Sequence, residues 1–133
     1  MSKQSDWLLA ESLARRWQFS SQPATGTTCQ GSVQAAHPNA MMHVTSFAYS
    51  VVNQTAAAVF PKFTIRDGSV AGNILAQIAL AVPVNGSTQF NGALDVVSSR
   101  GSGTPPSIYA DFTSPASSVT QTLSVCGWEE EYR

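Results

Sequence analysis

From residue 42 onward the chain runs in short alternating segments divided by turn formers, and this period of two limits the fold more than any other feature. Residues 42–53 place Phe47, Tyr49 and Val51 on one face. Residues 58–67 group Val59, Phe63 and Ile65, with Lys62, Thr64 and Arg66 opposite; residues 74–82 group Ile74, Ile78, Leu80 and Val82. Phe90 and the run 94–97 read as two weaker strands around Asn91-Gly92. Residues 108–113 align Ile108, Ala110 and Phe112, and residues 119–128 align Val119, Leu123 and Val125. Turn signals stand between them: Asn53-Gln54-Thr55, Asp67-Gly68, Asn85-Gly86, the Gly/Pro-rich run 101–106 and Ser114-Pro115. Pro61 cannot donate to a ladder and predicts an edge strand or bulge. The spacing predicts an all-β body, a jelly-roll-like antiparallel β-sandwich of about six to eight strands.

The text before residue 42 is different. Ser5 or Asp6 can cap a helix, Arg15 and Arg16 suit its C-terminal end, and Leu9, Leu13 and Trp17 recur every four residues. A short helix is expected over about 5–18, followed by a turn-rich extended linker through Ser20, Pro23 and Gly26. The expected organisation is an N-terminal arm, 1–41, and a β-sandwich domain, 42–133. The apolar stripe of so short a helix wants a partner. Trp7, Leu9, Leu13, Arg15, Arg16 and Trp17 are therefore the candidate partner-binding residues, since aromatics and Arg are favoured at interfaces.

Composition removes several functions. Only 11% of residues are charged, against about 25% in ordinary soluble domains. Seven basic and eight acidic residues leave a formal net charge of −1, which gives no broad basic surface for nucleic acid. At 43% hydrophobic the chain is not of the disordered kind. The start is neither a signal-peptide core nor a membrane span, so synthesis in the cytoplasm without secretion by the general pathway is expected. Cys29 and Cys126 lie far apart with no C-x-x-C, and read as two free thiols; the alternative, a Cys29–Cys126 bridge, needs the N-terminal region folded against the last strand.

No catalytic motif stands out. His37 and His43 lack a nucleophile context, and no G-x-S-x-G elbow or phosphate loop occurs. Asp67 is read as a turn residue, Asp95 and Asp111 as solvent-facing, and Glu129-Glu130-Glu131 as a solvated tail. No enzyme activity, cofactor or metal site is expected. Trp128, Tyr109 and Tyr132 are the aromatics a glycan-binding module would use.

Residues 43–129 resemble small virion proteins of tailed bacteriophages. The resemblance lies in His43-Val44-Thr45-Ser46-Phe47-Ala48-Tyr49-Ser50, in Phe63-Thr64-Ile65-Arg66-Asp67-Gly68, in the apolar run 74–82 and in Phe90-Asn91-Gly92-Ala93-Leu94. It closes on Gln121-Thr122-Leu123-Ser124-Val125-Cys126-Gly127-Trp128-Glu129. It implies a decoration (cement) subunit on a capsid surface, with the major capsid or another virion protein as partner and self-association as a homotrimer. A glycan-binding or host-attachment module of a tail or fibre is the alternative.

Overall fold

The computed structural model describes residues 15–21, 23–26, 28–113 and 116–131. Among these residues the secondary structure is all β. The strands are β1 (Arg16–Ser20), β2 (Ala24–Thr25), β3 (Cys29–Gln34), β4 (Ala40–Asn53), β5 (Lys62–Asp67), β6 (Ile74–Ala79), β7 (Ser87–Val97), β8 (Ser107–Phe112) and β9 (Val119–Glu131). Sheet A runs β1-β9-β4-β7, with β2 also paired to β9, and sheet B runs β3-β8-β5-β6. All pairings are antiparallel. The chain crosses repeatedly between two four-strand paths, the double-sheet winding of a jelly roll.

The inward residues are those the alternation selects. Phe47, Tyr49, Val51, Phe63, Ile65, Ile108, Ala110, Phe112, Val119, Leu123 and Val125 are all buried. Phe63 joins the sheets, its ring 5.5 Å from Phe47, 5.8 Å from Tyr49 and 5.1 Å from Phe112. A register shift at Thr45 lets β4 bury Met42 and Val44 before it and Phe47 and Tyr49 after it, although the two sets differ in parity. Opposite the shift sits Gly127, where an added Cβ would lie 1.8 Å from the His43 carbonyl oxygen and 2.7 Å from the Trp17 ring. Gly127→Ala should therefore cost roughly 3 kcal/mol, the upper end of overpacking penalties, because a backbone atom must move. Urea unfolding of the variant checks this; a cost under about 1 kcal/mol would show that the bulge can give way.

Four expectations change. Arg16, Trp17 and Gln18 lie in a strand and not in a helix, pairing with Trp128, Gly127 and Cys126; the rest of the expected helix, 5–14, lies outside the described residues. The linker is instead structural, because β1 and β3 form an edge of each sheet, on β9 and β8. A boundary at 41/42 would strip an edge strand from each sheet together with Cys29, Trp17 and Phe19, which pack on the core. Asn91-Gly92 is not a turn, for β7 is one strand of 11 residues. Pro61 precedes β5, an inner strand, so the edge is β6; there Leu75 is the extra residue between Ile74 and Ala76, which turns Ile74 outward. Asp67-Gly68 and Asn85-Gly86 do turn, with Gly68 at φ 95° and Asn85 at φ 50°.

Candidate functional site

The outer face of sheet A is built from the alternate residues of four strands, and the register sets them in rows. Arg16, Trp128, His43 and Val97 form the first row; Gln18, Cys126, Ser46 and Ala93 the second; Ser20, Ser124, Ala48 and Asn91 the third. Thr122, Ser50 and Gln89 follow. Large side chains occupy the first row and small ones the middle rows, so the face is hollow below Trp128. A cleft of about 560 Å³ is lined there by Arg16, Gln18, Thr45, Ser46, Cys126 and Trp128. It continues into hollows over Ala48, Asn91 and Ser124, then over Ser20, Ser50 and Thr122.

Trp128 is held rigidly at the head of this trough. The His43 ring lies parallel to it, with centroids 4.1 Å apart and planes 1° from parallel. His43 Nε2 in turn donates to Glu130 Oε2 at 2.9 Å. Arg16 is exposed beside the indole, the charged group nearest the opening. On the floor the Ser50 and Thr122 hydroxyls pair at 2.6 Å, and Ser46 meets the Cys126 thiol at 2.5 Å. This face offers one stacked indole, one guanidinium, three side-chain amides and a bed of hydroxyls. Among the described residues, the hydrogen bonds of the Ser46, Ser50 and Thr122 hydroxyls and the Cys126 thiol run to one another, and His43 bonds Glu130.

Of the six residues expected to bind a partner, Arg15, Arg16 and Trp17 are described and take three different roles. Trp7, Leu9 and Leu13 lie outside the described residues. Arg15 pairs with Glu131 at 2.5 Å while its carbonyl accepts from the Glu129 amide at 3.0 Å, so it staples the end of β9. Trp17 turns inward, stacked on Phe19 at 6.2 Å, with its indole N–H buried and unpartnered among the described residues. Of the described three, Arg16 is exposed on the outer face beside the cleft, and Trp17 contributes to its lining from below.

The acidic run is likewise no loose tail. Glu129 is buried and accepts the Ala36 amide at 2.8 Å, Glu130 holds His43, and Glu131 reaches both Arg15 and His37. The two histidines thus serve separate carboxylates, and no group of three metal-ligating side chains is assembled among the described residues. Cys29 and Cys126 are free; Cys29 faces the core from β3, where burial raises its thiol pKa, and Cys126 faces outward from β9.

The other glycan-type aromatic, Tyr109, lies on the opposite side of the molecule. On the outer face of sheet B its hydroxyl donates to Gln30 Oε1 at 2.8 Å; on the same sheet Gln77 donates to Thr64 at 3.0 Å and Arg66 donates to the Gly72 carbonyl at 3.1 Å. Tyr109 and Trp128 therefore cannot serve one site, and Tyr132 lies outside the described residues. On this face burial raises the Asp111 carboxyl above its ordinary value, against the opposing pull of Arg66 and the neighbouring Tyr109 hydroxyl. A carboxyl raised on folding favours the folded state fully at low pH and loses that contribution as pH climbs through its folded pKa. Asp111→Asn should accordingly raise the melting temperature at pH 7, with the gain shrinking as pH falls below the carboxylate range. Thermal scans at pH 7 and pH 3 check the sign; a gain that grew in acid would contradict it.

Sequence reasoning singled out Trp128 but missed the floor beneath it. Ser46, Ser50, Ser124 and Gln18 carry no signal in one dimension, and only the register brings them together.

No protein-family model and no curated protein sequence matches the chain. Among solved structures it is similar to a β-1,3-glucan-binding family 6 carbohydrate-binding module from Bacillus halodurans, with TM-score 0.44 and 13% identity over 85% of this chain and 93% of that one. It is also similar to an arabinose-bound family 51 α-L-arabinofuranosidase, with TM-score 0.47 and 11% identity over 86% of this chain. The match covers only 19% of that enzyme's length. A third likeness is to the disulfide-linked pili of Bacillus endospore appendages, with TM-score 0.38, 11% identity, and coverage of 86% and 88%. These similarities are too distant to transfer a function.

Proposed function

We propose that the chain is a non-catalytic binding module that takes a carbohydrate along the outer face of sheet A. The observation that carries this is the immobilised Trp128 ring at the head of a trough floored by small hydroxyl-bearing side chains. A pyranose ring has apolar C–H faces and a polar rim of hydroxyls. The indole receives the face, while Arg16, Gln18 and Asn91 lie where they can bond the rim, the few placed polar groups that give a small-molecule site its orientation. Trp128 pays little entropy on binding because His43 already fixes it. Titration calorimetry of the whole chain against soluble neutral and uronic-acid polysaccharides tests the reading. Binding in the micromolar to millimolar range is expected, with Tyr109→Ala indistinguishable from the unaltered chain. Equal loss on changing Tyr109 would move the site to sheet B.

A second reading, a decoration subunit on a phage capsid surface, is favoured by one observation. Around the Val59–Val82 bridge, Phe60 (69% exposed), Ala58, Ala81, Pro83 and Val84 leave an apolar pole uncovered, in a surface poor in charge, as interface cores are. On this reading Phe60→Asp abolishes co-sedimentation with particles and leaves polysaccharide titrations unchanged. Undiminished co-sedimentation of that variant would remove the reading.

A further inference from the structure

We propose that the free edge of β7 is a docking surface for a second copy of this chain, the two β7 strands pairing antiparallel with Gly92 opposite Gly92. β7 closes sheet A, and among the described residues only β4 pairs with it. Its 11 residues therefore present one side of their backbone amides and carbonyls without a partner in the fold. Long edges are ordinarily blunted by lysine, proline or a covering element. This one has no lysine and no proline, a single charge at Asp95, and exposed apolar side chains at Phe90 (53%) and Val97 (39%).

The strand's own sequence selects the occupant and the register. Antiparallel residues directly opposite each other share a face. With Gly92 at the twofold axis, Phe90 meets Leu94 of the other copy and Thr88 meets Val96 on the inner side. On the outer side Gln89 meets Asp95 and Asn91 meets Ala93. On the inner side every apolar residue gains an apolar or methyl-bearing neighbour, while on the outer side Ala93 and Val97 meet the short polar side chains of Asn91 and Ser87, and each of the two Asp95 carboxylates faces an amide instead of its own copy. The centre suits close approach as well. Gly92 has no side chain, and the space its Cβ would take already holds the Phe90 ring edge, 2.6 Å away. Two four-strand paths then become one continuous sheet, an isologous contact of the kind a twofold dimer requires.

The test uses light scattering and sedimentation of the full chain across a concentration series. A concentration-dependent dimer is expected, in the roughly micromolar range of small interfaces. Gln89→Asp sets two like-charge pairs against Asp95 and should weaken dimerisation at least tenfold. Gln89→Lys should preserve or strengthen it, and the double change Gln89→Asp with Asp95→Lys should restore it. Each variant's melting temperature at low concentration confirms that the monomer fold is intact. A chain that stays monomeric at millimolar concentration would overturn the proposal. So would a dimer that Gln89→Asp leaves unchanged, which would place the contact elsewhere, including on the apolar pole or through residues 1–14.

Discussion

Phe63→Ala is expected to lower the unfolding free energy by about 3–5 kcal/mol, the range for truncating a buried aromatic. Set against a total of roughly 5–15 kcal/mol for a domain, this takes the chain to the margin of folding. The size follows from position. Phe63 is 1% exposed at the centre of the sandwich, in ring contact with Phe47 and Tyr49 of sheet A and with Phe112 of its own sheet. Removing it leaves a cavity between two sheets whose backbones are fixed by their ladders, so the walls cannot close. Urea unfolding gives the number, and Phe60→Ala, three residues away but solvent-facing, should shift stability by about 0.5 kcal/mol or less. Equal effects at the two positions would mean that the sandwich core is not where the structure puts it.

Trp128→Ala should abolish measurable polysaccharide binding while leaving the fold intact. Losing a stacking surface of hot-spot quality costs about 2 kcal/mol or more, at least a ~30-fold rise in dissociation constant. A module of modest affinity then falls out of range in a calorimeter. The side chain is half-buried on the outer face and fills no part of the core cluster, so its removal should cost far less stability than Phe63→Ala. His43→Ala should weaken binding less, since it frees the indole to move without removing it. Retained affinity in Trp128→Ala would contradict the proposed site.

The period of two made most of the body legible. Phe47, Tyr49, Val51, Phe63, Ile65, Ile108, Ala110 and Phe112 face inward as the alternation requires, because each lies in a strand with one buried face. The misreadings share a physical cause. In β3 the inward positions are Cys29, Gly31 and Val33, a weak apolar signal, and the volume missing at Gly31 is filled by the Phe19 ring. Gly92 is filled in the same way by Phe90, so a glycine that looked like a turn is a strand position covered by a neighbour's ring. Trp17 satisfied a helical spacing with Leu9 and Leu13, yet it equally alternates with Phe19, and pairing with β9 decided between them. Ile74 was displaced by a bulge that no local pattern announces. The candidate site was legible at Trp128 and, through a different argument, at Arg16. Its floor is a property of register, since Ser46 and Ser124 are 78 positions apart in sequence and share one hollow.

Mapping amide chemical shifts during titration with a bound polysaccharide tests the central claim most directly, because it reports position as well as affinity. The account predicts the largest changes at Arg16, Gln18, Ser46, Cys126 and Trp128, together with the Trp128 indole N–H, and none at Gln30, Arg66 or Tyr109. Changes centred on the outer face of sheet B, or no changes with any polysaccharide tried, would contradict it.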